Sequence, residues 1–282
     1  MSKQKIYSSL LFLLLLVGII TASVFWFDAY QKTTEITFLS VGEGDSILLS
    51  QGSNQILIDG GRTGKDLLSR LGRHVPFWDR TIEVVIATHP DADHIGGLSA
   101  LLNSYTVKQF LYTGAESKTD VYALLKKSLE ANHVDIQKIF RGGTVQFPVS
   151  GNLSVEYPLT VLPSEMAEAN TGSIVVRFSY GETSMLFTGD LPSEENVIGD
   201  IAPVDILKVS HHGSRFSTSA TFLEQLNPKE AIISVGKNMY GHPSPDVLKR
   251  LEERNVTVRR TDQSGDIRYR CTDELNRCIF VE

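Results

Sequence analysis

The segment VVIATHPDADHIGGL, residues 84–98, places four side chains that can bind a metal ion within six positions. They are His89, Asp91, Asp93 and His94, and they follow an apolar run that predicts a buried strand ending at about His89. A sheet holds ligands at a strand end in place, while the loop beyond the strand stays open to solvent. The spacing therefore predicts a metal site between this strand and the next helix.

Two later apolar segments also end in histidine or aspartate. MLFTGD ends at Asp190, and VDILKVSHHGS carries His211 and His212. Because consecutive side chains diverge, only one of the two histidines can readily face a given metal. We assign His212 to a metal and His211 to substrate or proton transfer, with the reverse assignment as the alternative. His242, in YGHPSPDVL, is a candidate proton donor or phosphate contact, or else a histidine in a solvent-exposed loop.

Short strands and helices must position these residues. Turns rich in glycine separate predicted strands at 35–41, 46–50 and 55–60, and the apolar spacing of 121–132 predicts a helix. The segment at 45–61 resembles the one at 172–190, and each precedes a buried strand that leads into histidines. Two similar halves would form a shared site at their junction. The alternative is a chance match.

The net charge of −6 does not favour general binding of nucleic acids, because Lys and Arg contacts to phosphates supply most non-specific affinity. A polyanionic substrate would have to be bound locally, by metal ions and by the more basic C-terminal quarter of the chain.

The N-terminal region predicts an exported protein. Residues 6–27 carry no charge and follow Lys3 and Lys5, and about 20 apolar residues suffice to cross a bilayer as a helix. This pattern predicts a single-pass anchor, with residues 1–5 in the cytoplasm and a domain at 28–282 on the extracellular side. A cleaved signal peptide, which would give a secreted protein, is the alternative.

The two cysteines, Cys271 and Cys278, flank a polar loop near the C-terminus, as in a hairpin closed by a disulfide. Export to an oxidising compartment favours their pairing. Two free thiols are the alternative.

Several motifs identify a family resemblance. THPDADHIGG resembles the His-x-His-x-Asp-His signature of metallo-β-lactamase-fold hydrolases, with Asp91 in place of the second histidine. Together with FLSVGEGDSILL, ILIDGG, LFTGD, LKVSHHGS and GHPSPDVL, it is similar to the extracellular hydrolase domain of ComEC-type DNA-uptake (competence) proteins. The resemblance covers about 35–269. Full ComEC-type proteins also carry a many-helix channel, whereas one anchor is predicted here, so a role in DNA import does not transfer automatically.

The resemblance implies an α+β fold, an αββα four-layer sandwich with two divalent metal ions at one edge. The implied ligands are His89 and Asp91 for one ion, Asp93, His94 and His212 for the other, and Asp190 between them. The family's third histidine of the first site has no equivalent; AEANTGSIVV, with Asn170 and Ser173, lies there instead. Oxygen ligands at Asp91 and Asn170 shift preference from Zn²⁺ towards Mn²⁺ or Mg²⁺, so the two ions are expected to be Zn²⁺, Mn²⁺ or one of each.

The resemblance further implies a nuclease or phosphodiesterase that uses a metal-activated water, oriented by Asp93. DNA would be its substrate, and a basic groove is expected beside the metals. A phosphodiesterase of the cell envelope, similar to the teichoic-acid phosphorylcholine esterases, is an alternative, and aromatic residues in the cleft would favour it. A metal-binding module without activity is the third reading.

Overall fold

The computed structural model describes residues 3–143, 150–195, 199 and 201–281, with the backbone alone for 3–6, 8–10, 25–29 and 31. Residues 1, 2 and 282, which belong to the predicted N-terminal segment and the predicted domain, lie outside the described residues.

The first half of the chain forms helix α1 (Lys3–Lys32), β1 (Thr34–Phe38), β2 (Ile47–Gln51), β3 (Asn54–Ile58), α2 (Gly64–His74), β4 (Thr81–Ile86), α3 (Ala92–Ile95), α4 (Leu98–Ser104), β5 (Thr106–Tyr112), α5 (Asp120–Ala131) and β6 (Asp135–Lys138). The second half forms β7 (Asn152–Tyr157), a 3₁₀ turn (Asn170–Gly172), β8 (Val175–Tyr180), β9 (Thr183–Phe187), β10 (Ile206–Lys208), a 3₁₀ turn (Ser210–Gly213), α6 (Ala220–Leu226), β11 (Glu230–Ile233), α7 (Pro245–Glu252), β12 (Thr257–Arg260), α8 (Thr261–Ser264), β13 (Ile267–Thr272) and β14 (Arg277–Phe280). The predicted strands near 35–41, 46–50 and 55–60 and the predicted helix at 121–132 correspond to β1, β2, β3 and α5.

Helix α1 reaches the domain at its C-terminal end, where the Tyr30 hydroxyl donates a hydrogen bond to the carbonyl of Gly52 at 2.7 Å. Among the described residues, no helix has both the length and the apolar character that crossing a membrane requires.

Two mixed β-sheets form the centre of the molecule. Among the described residues the first sheet has the order β14-β13-β1-β2-β3-β4-β5-β6 and the second has the order β12-β11-β10-β9-β8-β7. An antiparallel hairpin followed by a parallel strand occurs in each: β2 and β3 with β4, and β8 and β9 with β10. The predicted similarity of the two halves is therefore confirmed at the level of topology.

The sheets pack face to face through a shared core, and helices cover their outer faces. Ile36 and Phe38 of the first sheet belong to one buried cluster with Val176 and Phe187 of the second. A second cluster joins the first sheet to α2, α4 and α5, and a third joins the second sheet to α6 and α7. Apolar residues on both faces of each sheet thus produce the predicted four-layer sandwich.

Strand β4 ends at Ile86, three residues before the predicted end at His89. The reason is a side chain from the neighbouring strand end. The backbone nitrogen of Thr88 donates a hydrogen bond to the Asp59 carboxylate at 2.8 Å instead of to a neighbouring strand, and the Thr88 hydroxyl donates to the same carboxylate at 2.7 Å.

The predicted disulfide is confirmed. Cys271 and Cys278 are bonded, and they lie opposite each other in the register of the β13–β14 hairpin at the edge of the first sheet.

Candidate metal centre

The ends of four strands from both sheets meet at one edge of the sandwich. In the first sheet Asp59 follows β3, and the segment with His89, Asp91, Asp93 and His94 follows β4; in the second sheet Asp190 follows β9, and His211 and His212 follow β10. Because β3 and β4 are parallel, as are β9 and β10, the carboxyl ends of each pair point to the same side. The fold thus brings the sequence-predicted residues of both halves to one place.

Asp190 lies at the centre of this cluster. One of its carboxylate oxygens, Oδ2, is 3.3 Å from Nε2 of His94 and 3.3 Å from Nε2 of His212. The same oxygen is 3.8 Å from Nε2 of His211. Asp190 is buried, and its backbone nitrogen donates to the Ser173 hydroxyl at 3.1 Å. The position of Asp190 is therefore fixed through its backbone, by Ser173, and through its carboxylate, by the surrounding histidines.

The other ring nitrogen of each buried histidine has a partner that orients the ring. Nδ1 of His94 lies 2.8 Å from Oδ2 of Asp59, and Nδ1 of His212 lies 2.9 Å from the carbonyl oxygen of Ser234. Because these oxygens engage Nδ1, Nε2 is the nitrogen of each ring that faces Asp190 and that could bind a metal ion.

His89, after β4 of the first sheet, and the segment around Asn170, before β8 of the second sheet, complete the cluster. Nδ1 of His89 lies 3.0 Å from the Thr88 hydroxyl and 3.3 Å from the Ser173 hydroxyl. The amide nitrogen of Asn170 is 3.4 Å from Nδ1 of His211. The residues that stand where the family has a third histidine therefore contact two histidines of the cluster.

Asp93 and Asp91 occupy different environments. Oδ2 of Asp93 is 3.7 Å from Nε2 of His212, and an Arg62 nitrogen approaches it to 3.4 Å. Burial disfavours ionisation of Asp93, but the nearby imidazoles of His212 and His94 outweigh burial and lower the pKa of Asp93. Asp91 has a side chain that is 44% exposed, and its Oδ2 is 3.6 Å from Nε2 of His89. Its role as a ligand stays a prediction.

Sequence reasoning missed three buried residues behind the ligands. Asp45 lies between Lys208 and His212, with Oδ1 3.5 Å from Nδ1 of His212 and Oδ2 paired with the Lys208 amine. The Lys208 amine also donates to the Gly189 carbonyl at 2.9 Å and lies 3.8 Å from Asp190. Asp59 orients His94, as described above. Position alone could have identified Asp59, because it follows an apolar strand as His89 does; a lysine inside the apolar segment DILKVS marks Lys208.

Three residues of the site hold backbone conformations that are unusual outside glycine. Asp59, His211 and His212 have φ values of 59°, 49° and 53°. Left-handed conformations at such residues cost about 1–3 kcal/mol each and concentrate at functional sites. At His211 and His212 the double turn directs one ring into the buried cluster and the other towards solvent, with side-chain exposures of 2% and 30% for His212 and His211.

The electrostatics of the cluster favour a bound cation. Burial disfavours the charged form of Asp190, but the nearby His212 and His94 outweigh it and hold the pKa of Asp190 well below its usual range. Burial alone would lower the pKa of His212, but the Asp190 carboxylate raises it to about 10. The pKa of His94 is likewise raised well above its usual range. The centre of the cluster thus attracts positive charge.

The donor set fits one or more metal ions. Within the described residues, the groups whose ligand atoms lie within 4.8 Å of one another are His89 with His94 and Asp190, Asp93 with His94 and His212, Asp45 with Asp190 and His212, and Asp45 with Asp59 and His94. Nε2 of His94, Nε2 of His212 and Oδ1 of Asp190 are buried and have no hydrogen-bond partner among the described residues. Buried polar atoms of this kind are costly without a partner, which a metal ion would supply.

An open cleft of about 590 Å³ begins beside the cluster. His211 and His242 lie in its wall, with ring centres 5.5 Å apart. Nδ1 of His242 is 3.6 Å from Oε1 of Glu43, and both atoms are buried. Both histidines that the sequence assigned to substrate or proton transfer therefore line the cleft, and His211 connects it to the cluster through its 3.8 Å approach to Asp190.

Comparison with known proteins identifies the family and the fold. The sequence model described as the metallo-β-lactamase superfamily matches residues 39–237. The metallo-β-lactamase fold protein YhfI from Bacillus subtilis covers 85% of this chain and 99% of its own, at 14% identity and a TM-score of 0.56. Igni18, a metallo hydrolase from Ignicoccus hospitalis, covers 84% and 98%, at 14% identity and a TM-score of 0.52. At 14% identity these two structures show a similarity of fold alone.

Curated relatives confirm the resemblance to competence proteins. ComE operon protein 3 of Bacillus subtilis is 34% identical over 275 residues, which cover 88% of this chain and 34% of the relative. Competence protein ComA of Neisseria gonorrhoeae is 26% identical, over 85% of this chain and 32% of the relative. Recombination protein 2 of Haemophilus influenzae is 27% identical, over 84% and 29%. The chain spans about a third of the length of these relatives.

Replacement of Asp59 by asparagine should weaken metal binding. The substitution removes the negative charge that orients His94, and changes to such partners reduce metal affinity by about 10- to 100-fold. Competition with a fluorescent chelator measures the affinity. Asp266→Asn is the matched control, because Asp266 also contacts a histidine, His74, at 2.9 Å, outside the cluster. Equal affinities in Asp59→Asn and the wild type would contradict the assignment.

Replacement of Lys208 by methionine should destabilise the metal-free protein. The amine is buried between Asp45 and Asp190, and loss of one partner of a buried ion pair costs about 3 kcal/mol or more. Urea unfolding measures the free energy of unfolding, with a chelator and then with added Zn²⁺ or Mn²⁺, which should recover part of the loss.

Lys229→Met is the control for this change. Lys229 pairs with Asp205 at 2.7 Å, but its side chain is 80% exposed, so its unfolding midpoint should match the wild type. An unchanged free energy of unfolding in Lys208→Met would show that the carboxylates do not need a compensating cation.

Proposed function

The chain belongs to the metallo-β-lactamase superfamily, and from this premise we propose that it is a metal-dependent hydrolase that cleaves phosphodiesters, with DNA as the substrate. One observation carries the proposal: the buried nitrogens of His94 and His212 converge on Asp190, and His211, 3.8 Å from the same carboxylate, lines an open cleft. Such a site needs no serine or cysteine nucleophile.

We assign the ligands of two divalent ions, Zn²⁺ or Mn²⁺, as the family resemblance implies. His89 and Asp91 would hold one ion, Asp93, His94 and His212 would hold the other, and Asp190 would contribute to both. A bound divalent ion lowers the pKa of a coordinated water and stabilises charge on a phosphoryl oxygen. Asp91 and the Asn170 segment make the first site richer in oxygen, which supports Mn²⁺ there.

The remaining residues act on the substrate and on protons. Asp93, which lies between His212 and Arg62, would orient the attacking water. His211 is partly exposed at the cleft, where it can bind a phosphate oxygen or transfer a proton. His242 lies beside it and can protonate the leaving oxygen.

The choice of DNA rests on the relatives, whose names refer to competence and recombination. The cleft is less basic than the groove that the nuclease hypothesis predicts. Its described lining contains Arg215 but also the acidic Asp246. Contacts other than phosphate neutralisation must then contribute to affinity. A role in DNA uptake is likewise proposed and not shown by the relatives, because the chain corresponds to only about a third of the length of ComE operon protein 3.

An envelope phosphodiesterase that releases phosphorylcholine is the second candidate. The observation that favours it is the presence of Phe216 and Tyr240 in the cleft lining, because aromatic rings bind quaternary ammonium groups.

Removal of metal should abolish activity, and replacement of Asp190 should do the same. The full chain, stripped of metal, is incubated with labelled single- and double-stranded DNA, and Mn²⁺, Zn²⁺ or Mg²⁺ is added in turn. We expect cleavage that depends on metal and falls by at least about a hundredfold in Asp190→Asn. Asp266→Asn is the matched carboxylate control and should cleave like the wild type.

Intact DNA under every metal would contradict the nuclease. If bis-p-nitrophenyl phosphate is then still hydrolysed, the envelope phosphodiesterase gains support. If neither is hydrolysed, the site belongs to a metal-binding module without activity.

We further propose that α1 anchors the protein in the cell membrane, with the domain outside. The uncharged segment 6–27 after Lys3 and Lys5 supports this, as does the exposure of consecutive apolar side chains such as Leu13, Leu14 and Leu15. Apolar side chains that are exposed along a helix are stabilised by an apolar environment.

Membrane fractionation tests the anchor. The full chain should stay with the membranes after alkaline washing, and external protease should degrade the domain in intact cells. Recovery in the soluble fraction at full mass would contradict the anchor. A secreted protein that has lost its N-terminal residues would establish the signal peptide instead.

A further inference from the structure

The outer part of the 590 Å³ cleft carries exposed aromatic side chains that the catalytic proposal does not use. Phe216 is 69% exposed and Tyr240 is 68% exposed, and the neighbouring Met239 is 99% exposed. Phe216 follows the 3₁₀ turn with His211 and His212, and Tyr240 lies in the loop between β11 and α7. Exposed apolar side chains grouped at a cleft indicate a binding surface.

The ring of Tyr240 is held in a defined orientation. It stacks on the His242 ring with centres 5.7 Å apart and planes 27° apart. The Asn238 side chain fixes the loop, because its amide donates to the His242 carbonyl at 2.9 Å and its oxygen accepts from the Tyr240 backbone at 3.1 Å. A ring that is already ordered loses little entropy when a ligand packs on it.

Phe216 is paired with a cation of the protein. The Arg215 guanidinium lies over its ring, 5.0 Å from the centre. This arrangement disfavours choline, because the ring already interacts with one cation and Arg215 would repel a second. The same arginine can contact a phosphate, although Asp246 in the lining opposes a polyanion.

We infer that Phe216 and Tyr240 form a stacking surface for unpaired nucleotide bases, with Arg215 on the backbone phosphate, and that the enzyme acts on single-stranded nucleic acid. The inference rests on the proposed function and specifies its substrate. Aromatic stacking supplies affinity without many phosphate contacts, which suits an acidic protein with one arginine among the described residues that line the cleft. In a duplex, neighbouring base pairs cover the faces of each base, so only unpaired bases can stack on these rings.

Fluorescence anisotropy of the full chain tests the stacking surface. The Asp190→Asn background keeps the strand intact, and the probes are a labelled single strand of about 12 nucleotides, an abasic strand of equal length and the duplex. We expect the single strand to bind at least about tenfold more tightly than the abasic strand and the duplex. Phe216→Leu or Tyr240→Leu should each weaken binding of the single strand by about fivefold or more and leave the abasic strand unaffected.

Two further variants separate stacking from general effects. Tyr240→Phe keeps the ring and should retain the affinity for the single strand. Phe77→Leu removes a phenylalanine that is 79% exposed outside the cleft, and it should bind like the parent.

The outcomes distinguish this inference from the proposed function. Base-dependent binding without any cleavage by the wild type would support the stacking surface and reject the nuclease. Cleavage with equal affinity for abasic and ordinary strands would support the nuclease and overturn the stacking surface. Displacement of the strand by phosphorylcholine at lower concentration than by a nucleoside monophosphate would also overturn it.

Discussion

The attraction between Asp190 and the imidazoles around it is the interaction on which the site depends. A single carboxylate oxygen faces Nε2 of both His94 and His212 at 3.3 Å, in surroundings from which solvent is excluded. In such surroundings an unpaired charge is costly, so the neighbouring carboxylates Asp45 and Asp59 require compensation as well. Lys208 supplies part of it from inside the second sheet, and a metal ion would supply the rest.

The strand order of the two sheets makes this concentration of charged side chains possible. Parallel strands in both sheets end at one edge, so side chains that are far apart in sequence become neighbours without long loops. The wide apolar core between the sheets stabilises an edge that would be unstable by itself. The left-handed backbone conformations of Asp59, His211 and His212 are locally unfavourable. At the two histidines they direct His212 into the buried cluster and His211 towards the cleft.

Sequence patterns predicted the elements and the main cluster because the motifs lie directly after apolar strands, and β1, β2, β3 and α5 appear where predicted. They could not reveal what pairs across the two sheets. Asp45 and Lys208 are 163 positions apart, and no periodicity connects them. The early end of β4 has the same origin, since the Asp59 carboxylate on another strand withdraws Thr88 from the sheet. Strand-end position would have identified Asp59, but nothing in the sequence indicates its contact with His94.

The metal content of the purified full chain tests the central claim most directly. The chain is exposed to Zn²⁺ or Mn²⁺, freed of unbound ion, and its metal is counted per chain by elemental analysis. Two bound ions in the wild type, with loss of at least one in Asp190→Asn, are the predicted result. A chain that retains no divalent ion would contradict the account, because the buried carboxylates and imidazoles would then be stable without the cation that their geometry requires.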